Sequence, residues 1–85
     1  MFAKPKSPVF IDSMVFEVDR NEVPSSLRAV LKDEKGSIII SMEAEIPQGH
    51  TNFSWRGLND VPYGVYFLEL YNGESETRMR MVKRV

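Results

Sequence analysis

The chain contains no cysteine, and this absence excludes disulfide frameworks, thiolate zinc sites and cysteine nucleophiles. It has no apolar run near the roughly 18 residues of a membrane-spanning helix. The lysines close to the N-terminus are not followed by the apolar stretch of a signal peptide. An excess of one charge is also lacking, because 11 basic and 12 acidic residues give a net charge of -1. No general attraction to nucleic acid or to anionic membranes follows from this balance.

Apolar and polar residues alternate through most of the chain, and no segment shows a convincing 3.6-residue helical period. A chain of 85 residues with 42% hydrophobic residues is large enough for one domain with a modest core. The alternation predicts strands over residues 9–19, 27–32, 37–46, 50–56, 65–71 and 75–85. In the 37–46 strand it places Ile38 on the inner face. Ile39 falls on the outer face, which indicates that part of that face is covered.

Turn residues separate these strands at intervals of roughly 8–12 residues. Gly36 stands where a left-handed backbone is expected at the end of a turn. Pro62 and Gly64 fix the backbone ahead of the 65–71 strand. Asn72-Gly73 predicts a two-residue hairpin turn after that strand. Six or seven short strands in this arrangement predict an all-β sandwich.

The first eight residues are predicted to form an extended arm, because Pro5 and Pro8 forbid helix and disfavour pairing in a central strand. The sandwich then covers residues 9–85. Trp55 and Tyr66 are expected in the core, with the Tyr66 hydroxyl against loop backbone, as is common for buried tyrosines. The residues expected to define the fold are Gly36, Trp55, Pro62, Gly64, Tyr66, Asn72 and Gly73.

Several motifs resemble a known family. The chain from about residue 9 to 85 resembles the C-terminal sorting domain of type IX secretion cargo from Bacteroidetes. The motifs are Asp33-Glu34-Lys35-Gly36 (the family's D-x-x-G turn), Leu58, Pro62-Tyr63-Gly64-Val65-Tyr66-Phe67-Leu68 and the closing Met81-Val82-Lys83-Arg84-Val85. Residues 49–57 with Gly64-Val65-Tyr66 also resemble the immunoglobulin-like module of flagellar hook-cap proteins. The resemblance implies an immunoglobulin-like antiparallel β-sandwich of six to seven strands.

Residues suited to catalysis do not form a recognisable site. His50 is the only histidine and lacks nearby acidic or histidine partners at ligand spacing. Glu43 and Glu45 share one strand face, where such pairs usually form a solvated surface rather than a glycosidase dyad. The serines without a nucleophile-elbow context are Ser25, Ser26, Ser41 and Ser54. The sequence therefore predicts no enzyme activity, no metal and no cofactor.

The last strand carries the most distinctive charge pattern. Arg78 and Arg80 share one of its faces and Met79 and Met81 the other. Cross-strand pairing with a carboxylate row, either Glu43/Glu45 or Glu69, is one explanation. Recognition of a partner protein is the other, because a basic strand at a sheet edge can add to a partner's sheet. The predicted partner-binding residues are Arg78, Arg80, Lys83, Arg84 and Val85.

These observations predict a non-catalytic protein-interaction module that uses neither nucleic acid nor a small-molecule substrate. The resemblance implies a secretion-sorting signal read by outer-membrane machinery, which would place the protein outside the cell or on its surface. A structural virion protein of a bacteriophage, in the capsid surface, a decoration or the tail, is the alternative. A carbohydrate-binding module that uses Tyr63 and Tyr71 is a third hypothesis.

Overall fold

The structure is a computed structural model that describes residues 3–18, 26–46, 52–72 and 76–85. These residues contain eight β-strands and no helix, which confirms the all-β prediction. The strands are β1 (Ala3–Pro5), β2 (Val9–Phe10), β3 (Ser13–Val18), β4 (Ser26–Lys32), β5 (Ile38–Glu45), β6 (Asn52–Arg56), β7 (Gly64–Tyr71) and β8 (Glu76–Lys83).

Two sheets pack face to face as a sandwich, in agreement with the predicted fold class. The smaller sheet has the order β1-β3-β6 and the larger has the order β2-β8-β7-β4-β5. Every pairing is antiparallel except that of β2 with β8, which is parallel. The strand predicted over residues 9–19 is divided at Ile11 and Asp12, because the chain passes there from the larger sheet to the smaller one.

The predicted N-terminal arm contributes a strand to the sandwich. Residues 3–5 form β1, and Ala3 lies opposite Val18 with only 2% of its surface exposed. Pro5 lies opposite Phe16 on an edge strand, where the missing N–H costs no ladder hydrogen bond. The segment is extended as predicted, and burial of Ala3 makes it part of the fold.

Alternate residues of the strands fill the space between the sheets. The predicted inward positions Met14, Phe16 and Val18 of β3 and Leu27, Ala29 and Leu31 of β4 are all buried. Trp55 and Tyr66 are buried as predicted, at 6% and 5% exposure. The other members of the core cluster are Ala3, Phe10, Ile46, Leu58, Val61, Leu68, Leu70 and Met81.

The prediction for β5 is wrong at its N-terminal end. Ile38 and Ile39 are 59% and 40% exposed, although one was expected in the core and the other under a cover. A register shift between Leu31 and Lys32 places Ile38 opposite Lys32. The Lys32 side chain projects from the outer face of β4, so Ile38 lies on that face too. β5 is also an edge strand of the five-stranded sheet. The bulge and the edge position together explain the exposure of both isoleucines.

Two glycines that were predicted to set the backbone at turns adopt positive φ angles. Gly36 has φ of 89° in the turn between β4 and β5, where the Asp33 carboxylate accepts hydrogen bonds from the amides of Lys35 and Ser37, both at 2.9 Å. Gly64 has φ of 147° at the start of β7. Two residues later, the Tyr66 hydroxyl donates to the carbonyl oxygen of Pro62 at 2.6 Å. This bond ties the strand to the loop before it, as in the tyrosine corner of immunoglobulin-like sandwiches.

The β7–β8 hairpin exists, but its register excludes a two-residue turn centred on Asn72-Gly73. Tyr71 lies opposite Glu76, which puts the centre of the connection between residues 73 and 74. A slip to the predicted register would keep every side chain on its face and would set Glu69 opposite Glu76. The observed register sets Glu69 opposite Arg78, which favours it electrostatically. Gly73 itself lies outside the described residues.

Candidate interaction surface

The basic strand β8 lies beside β7 near one side of the larger sheet. The short β2 pairs with β8 only opposite Val82 and Lys83, and no other described strand occupies that edge. The amides of Val82 and Arg84 donate to the carbonyl oxygens of residues 8 and 10, at 2.8 and 2.9 Å. Over residues 76–81 the edge of β8 is therefore open among the described parts of the chain.

Arg78 and Arg80 project from the outer face of the sheet, as predicted. Arg78 lies directly opposite Glu69, with 4.0 Å between its Nε and a carboxylate oxygen, and its guanidinium lies 4.8 Å from the centre of the Phe67 ring. Arg80 lies opposite Phe67 and is exposed. Among the described residues Arg80 has no ion-pair or hydrogen-bond partner. Its positive charge is therefore available to an anionic group of a partner.

Glu69 is the buried carboxylate on this face, with 6% of its surface exposed. It accepts a hydrogen bond from the Tyr71 hydroxyl, and the Lys32 ammonium lies 3.0 Å from the same carboxylate oxygen. The Tyr71 hydrogen bond and the adjacent cations lower the pKa of Glu69 despite its burial. The same hydrogen bond raises the pKa of Tyr71 to about 12. Glu69 is therefore held ionised and Tyr71 protonated.

The carboxylate that pairs with β8 is Glu69 and not the Glu43/Glu45 row. Glu43 and Glu45 lie on β5, which is separated from β8 by β7 and β4. Glu43 instead lies opposite Arg28, with a long 3.9 Å contact between two exposed side chains. Exposed pairs of this kind contribute between 0 and about 1 kcal/mol. Glu45 is exposed at the far edge of the sheet.

A row of valines adjoins the arginines on the outer face. Val9 lies opposite Val82, and Val82 lies opposite Val65. Val9 is 37% exposed and the other two are half-buried. With Phe67 in the next row, they form an apolar surface bordered by Arg78 and Arg80. We call these six residues the β8 face.

The structure separates the remaining predicted partner residues. Lys83 is only 4% exposed, its ammonium lies 3.4 Å from the backbone oxygen of Asn59, and it lies 6.0 and 5.7 Å from the ring centres of Phe10 and Tyr63. It cannot be read by a partner in this position. Lys83 is buried because side chains alternate between the two faces of a strand, and Lys83 shares the inner face of β8 with Met79 and Met81. Arg84 and Val85 are exposed beyond the end of the strand.

Sequence reasoning missed the contribution of Val9, Val65 and Phe67 to this face. The sequence of β7 already indicated this surface, because apolar residues occur on both faces of that strand. The inner set Tyr66, Leu68 and Leu70 is buried in the core. The outer set therefore has to be covered by neighbouring side chains or by a partner. Only the strand order could show that Val9 extends it.

The other candidate residues do not assemble into a site. Ser26, Ser41 and Ser54 lie on three different strands, and Ser54 belongs to the smaller sheet. Ser25 and His50 lie outside the described residues. Within the described ranges, no three His, Cys, Asp or Glu side chains come close enough to hold a metal ion. Those ranges also contain no helix long and apolar enough to cross a membrane.

The exposed tyrosines do not form a strip. Tyr63 is 65% exposed just before β7, whereas Tyr71 ends that strand and is engaged with Glu69. At about 3.4 Å per residue, the length of β7 separates the backbones of the two tyrosines by roughly 25 Å. An open hollow of about 330 Å³ at the β6 end is lined by Asp12, Ser13, Arg56, Gly57 and Asn59. It shares no residue with the β8 face.

Comparison of the sequence with models of known protein families finds no match. Comparison with curated proteins likewise finds none.

Proposed function

We propose that this domain is a non-catalytic protein-interaction module that recognises its partner through the β8 face. The observation that carries the proposal is the exposed Arg80, whose charge has no partner among the described residues. It borders an apolar surface of Phe67 and three cross-strand valines. Arginine and aromatic side chains are enriched at protein interfaces, and the fully buried centre of an interface is more apolar than the rest of the surface.

The partner class follows from the resemblance to type IX sorting domains. On that basis the module directs export of attached protein and is read by outer-membrane secretion machinery. The exposed Arg84 and Val85 continue from β8 and extend the proposed surface toward the end of the chain. The buried Lys83 is left out of it.

A reporter-export assay tests this role. The domain is fused behind a signal peptide and a reporter enzyme, and the fusion is expressed in a type IX-competent host. We expect reporter activity in the medium from the wild-type fusion and reporter retained in the periplasm with Arg80→Glu. Arg56→Glu is the matched control, because Arg56 is also exposed but lies on the smaller sheet.

Two outcomes would contradict the proposal. Periplasmic retention of the wild-type reporter would remove the secretion role. Equal export by the Arg80→Glu and Arg56→Glu fusions would show that the β8 face is not the recognised surface. Thermal unfolding of both variants confirms that any loss reflects recognition and not misfolding.

A further inference from the structure

We propose that the open edge of β8 binds an extended, acidic segment of a partner protein as an added β-strand. This inference rests on the proposed interaction role and specifies how the partner is held. It concerns the backbone edge of β8 over residues 76–81, in addition to the side chains of its outer face.

The backbone groups of Arg78 and Arg80 point into the open edge. The amides of Val82 and Arg84 point away from β7, since they donate to the N-terminal segment. The direction alternates from residue to residue along an antiparallel strand. The β7–β8 register is continuous from Gly64 to Tyr71, so Arg78 and Arg80 share the direction of Val82. Each presents an N–H and a C=O without a described backbone partner.

The same edge already accepts a strand at one end. β2 pairs with it opposite Val82 and Lys83 and then leaves for the smaller sheet. The six remaining residues span about 20 Å, at about 3.4 Å per residue. This is the length of an ordinary strand. An added strand would therefore occupy the edge on the side where β2 begins, next to the Val9–Val82 pair.

Side chains on the two faces of β8 define the chemistry of the added strand. On the outer face, Arg78 and Arg80 favour glutamate or aspartate at alternate positions of the partner. On the inner face, Met79 packs against the core but is only half-buried, so an apolar side chain next to it would complete its burial. The fitting partner is an extended segment that alternates acidic and apolar residues.

A second copy of this chain pairs unfavourably with the edge in the register centred on Met79. Two β8 edges in antiparallel contact around Met79 would set Arg78 of one copy opposite Arg80 of the other. Like charges directly opposite each other destabilise a strand pair. In that register the arginines disfavour self-association, and they favour an acidic partner strand; charged residues on sheet edges commonly limit edge-to-edge pairing.

A synthetic peptide tests strand addition directly. The probe is a capped seven-residue peptide that alternates valine and glutamate, and the control replaces each glutamate with lysine. We expect the acidic peptide to bind and to slow hydrogen exchange of the Arg78 and Arg80 amides at least tenfold, measured by NMR. The lysine peptide should leave both amides unprotected. Binding without protection of these amides, or no binding at millimolar peptide, would overturn the proposal.

Substitutions at residue 80 separate the backbone from the charge. Arg80→Ala removes the guanidinium and keeps the N–H, whereas Arg80→Pro removes both without breaking a bond to β7. We expect Arg80→Pro to weaken peptide binding at least tenfold more than Arg80→Ala. Equal losses would show that the side chain alone is recognised. If Arg80→Pro does not fold, amide protection in the wild-type domain decides the question.

The peptide and export experiments test the two proposals separately, so one proposal can be overturned while the other stands. Export that depends on Arg80 without amide protection would overturn strand addition and leave the interaction role intact. Amide protection with export insensitive to Arg80→Glu would support the strand site and overturn the proposed role of the β8 face in export.

Discussion

Single polar atoms decide much of the local structure of this domain. The hydroxyl of Tyr66 and the carboxylate of Glu69 are both buried and both hydrogen-bonded. A buried polar group without its partner costs roughly 1–3 kcal/mol. The two residues project from opposite faces of β7, so one stabilises the corner before the strand and the other the charged cluster on the outer face.

Removal of the Tyr66 hydroxyl should destabilise the domain. We expect Tyr66→Phe to lower the free energy of unfolding by about 1 kcal/mol or slightly more, because the Pro62 carbonyl loses its donor. Urea denaturation followed by Trp55 fluorescence measures the change. Tyr63→Phe is the control, and its 65% exposure predicts a change within about 0.5 kcal/mol. Equal effects of the two substitutions would argue against the corner.

Glu69 should make the domain sensitive to acid. Its folded pKa is lowered, first by the Tyr71 hydrogen bond, so it stabilises the fold above its unfolded pKa of about 4.3. That contribution is lost as the pH falls through the folded pKa. We expect Glu69→Gln to be less stable than wild type at pH 7 and to lose less stability between about pH 5 and 2.

Urea unfolding at a series of pH values measures this dependence. Glu43→Gln is the matched control, because the Glu43 side chain is 79% exposed. The control should follow the wild-type curve. Parallel curves for wild type and Glu69→Gln would show that Glu69 does not couple folding to protonation.

At the scale of the elements, turns and edges set the boundaries of the strands. The β4–β5 hairpin depends on Gly36, and the exposed end of β5 depends on the register shift beside Lys32. In the β7–β8 hairpin, the register that sets Glu69 opposite Arg78 is favoured electrostatically. Period-two patterns predicted most of the strands and could not reveal a bulge, since one inserted residue reverses the faces beyond it.

Gly36 should be replaceable only at a cost in backbone strain. A Cβ built at Gly36 meets no atom within 4 Å, so the strain of φ at 89° is the sole penalty. We expect Gly36→Ala to lower the free energy of unfolding by about 1 kcal/mol. Gly36→Asn should cost less, because asparagine tolerates a left-handed backbone better. Thermal denaturation ranks the three proteins, and no loss in the alanine variant would contradict the assignment.

At the scale of the whole molecule, the N-terminal segment joins the two sheets. It supplies β1 to the smaller sheet and β2 to the larger one before it enters β3. Phe10 is 3% exposed and packs edge-on against Tyr66, with 6.4 Å between the ring centres. The segment predicted as an arm with a strand behind it is therefore part of the core.

Truncation of Phe10 should show how far the stability of the fold depends on the N-terminal segment. We expect Phe10→Ala to lower the free energy of unfolding by about 3 kcal/mol or more, since it leaves a cavity between the sheets. Val9→Ala is the matched control, because Val9 belongs to the same strand and is 37% exposed. Chemical denaturation compares the two, and similar small losses would show that β2 is peripheral to the fold.

The sequence alone determined that the chain is an all-β sandwich, which positions of β3 and β4 face the core, and where Gly36, Gly64 and Tyr66 act. These properties depend on short-range alternation and on the backbone preferences of single residues. The burial of Lys83, the pairing of Glu69 with Arg78, the exposure of Ile38 and the open edge of β8 were decided only by the tertiary structure. They depend on which strands become neighbours and in what register, and residues far apart in the sequence set both.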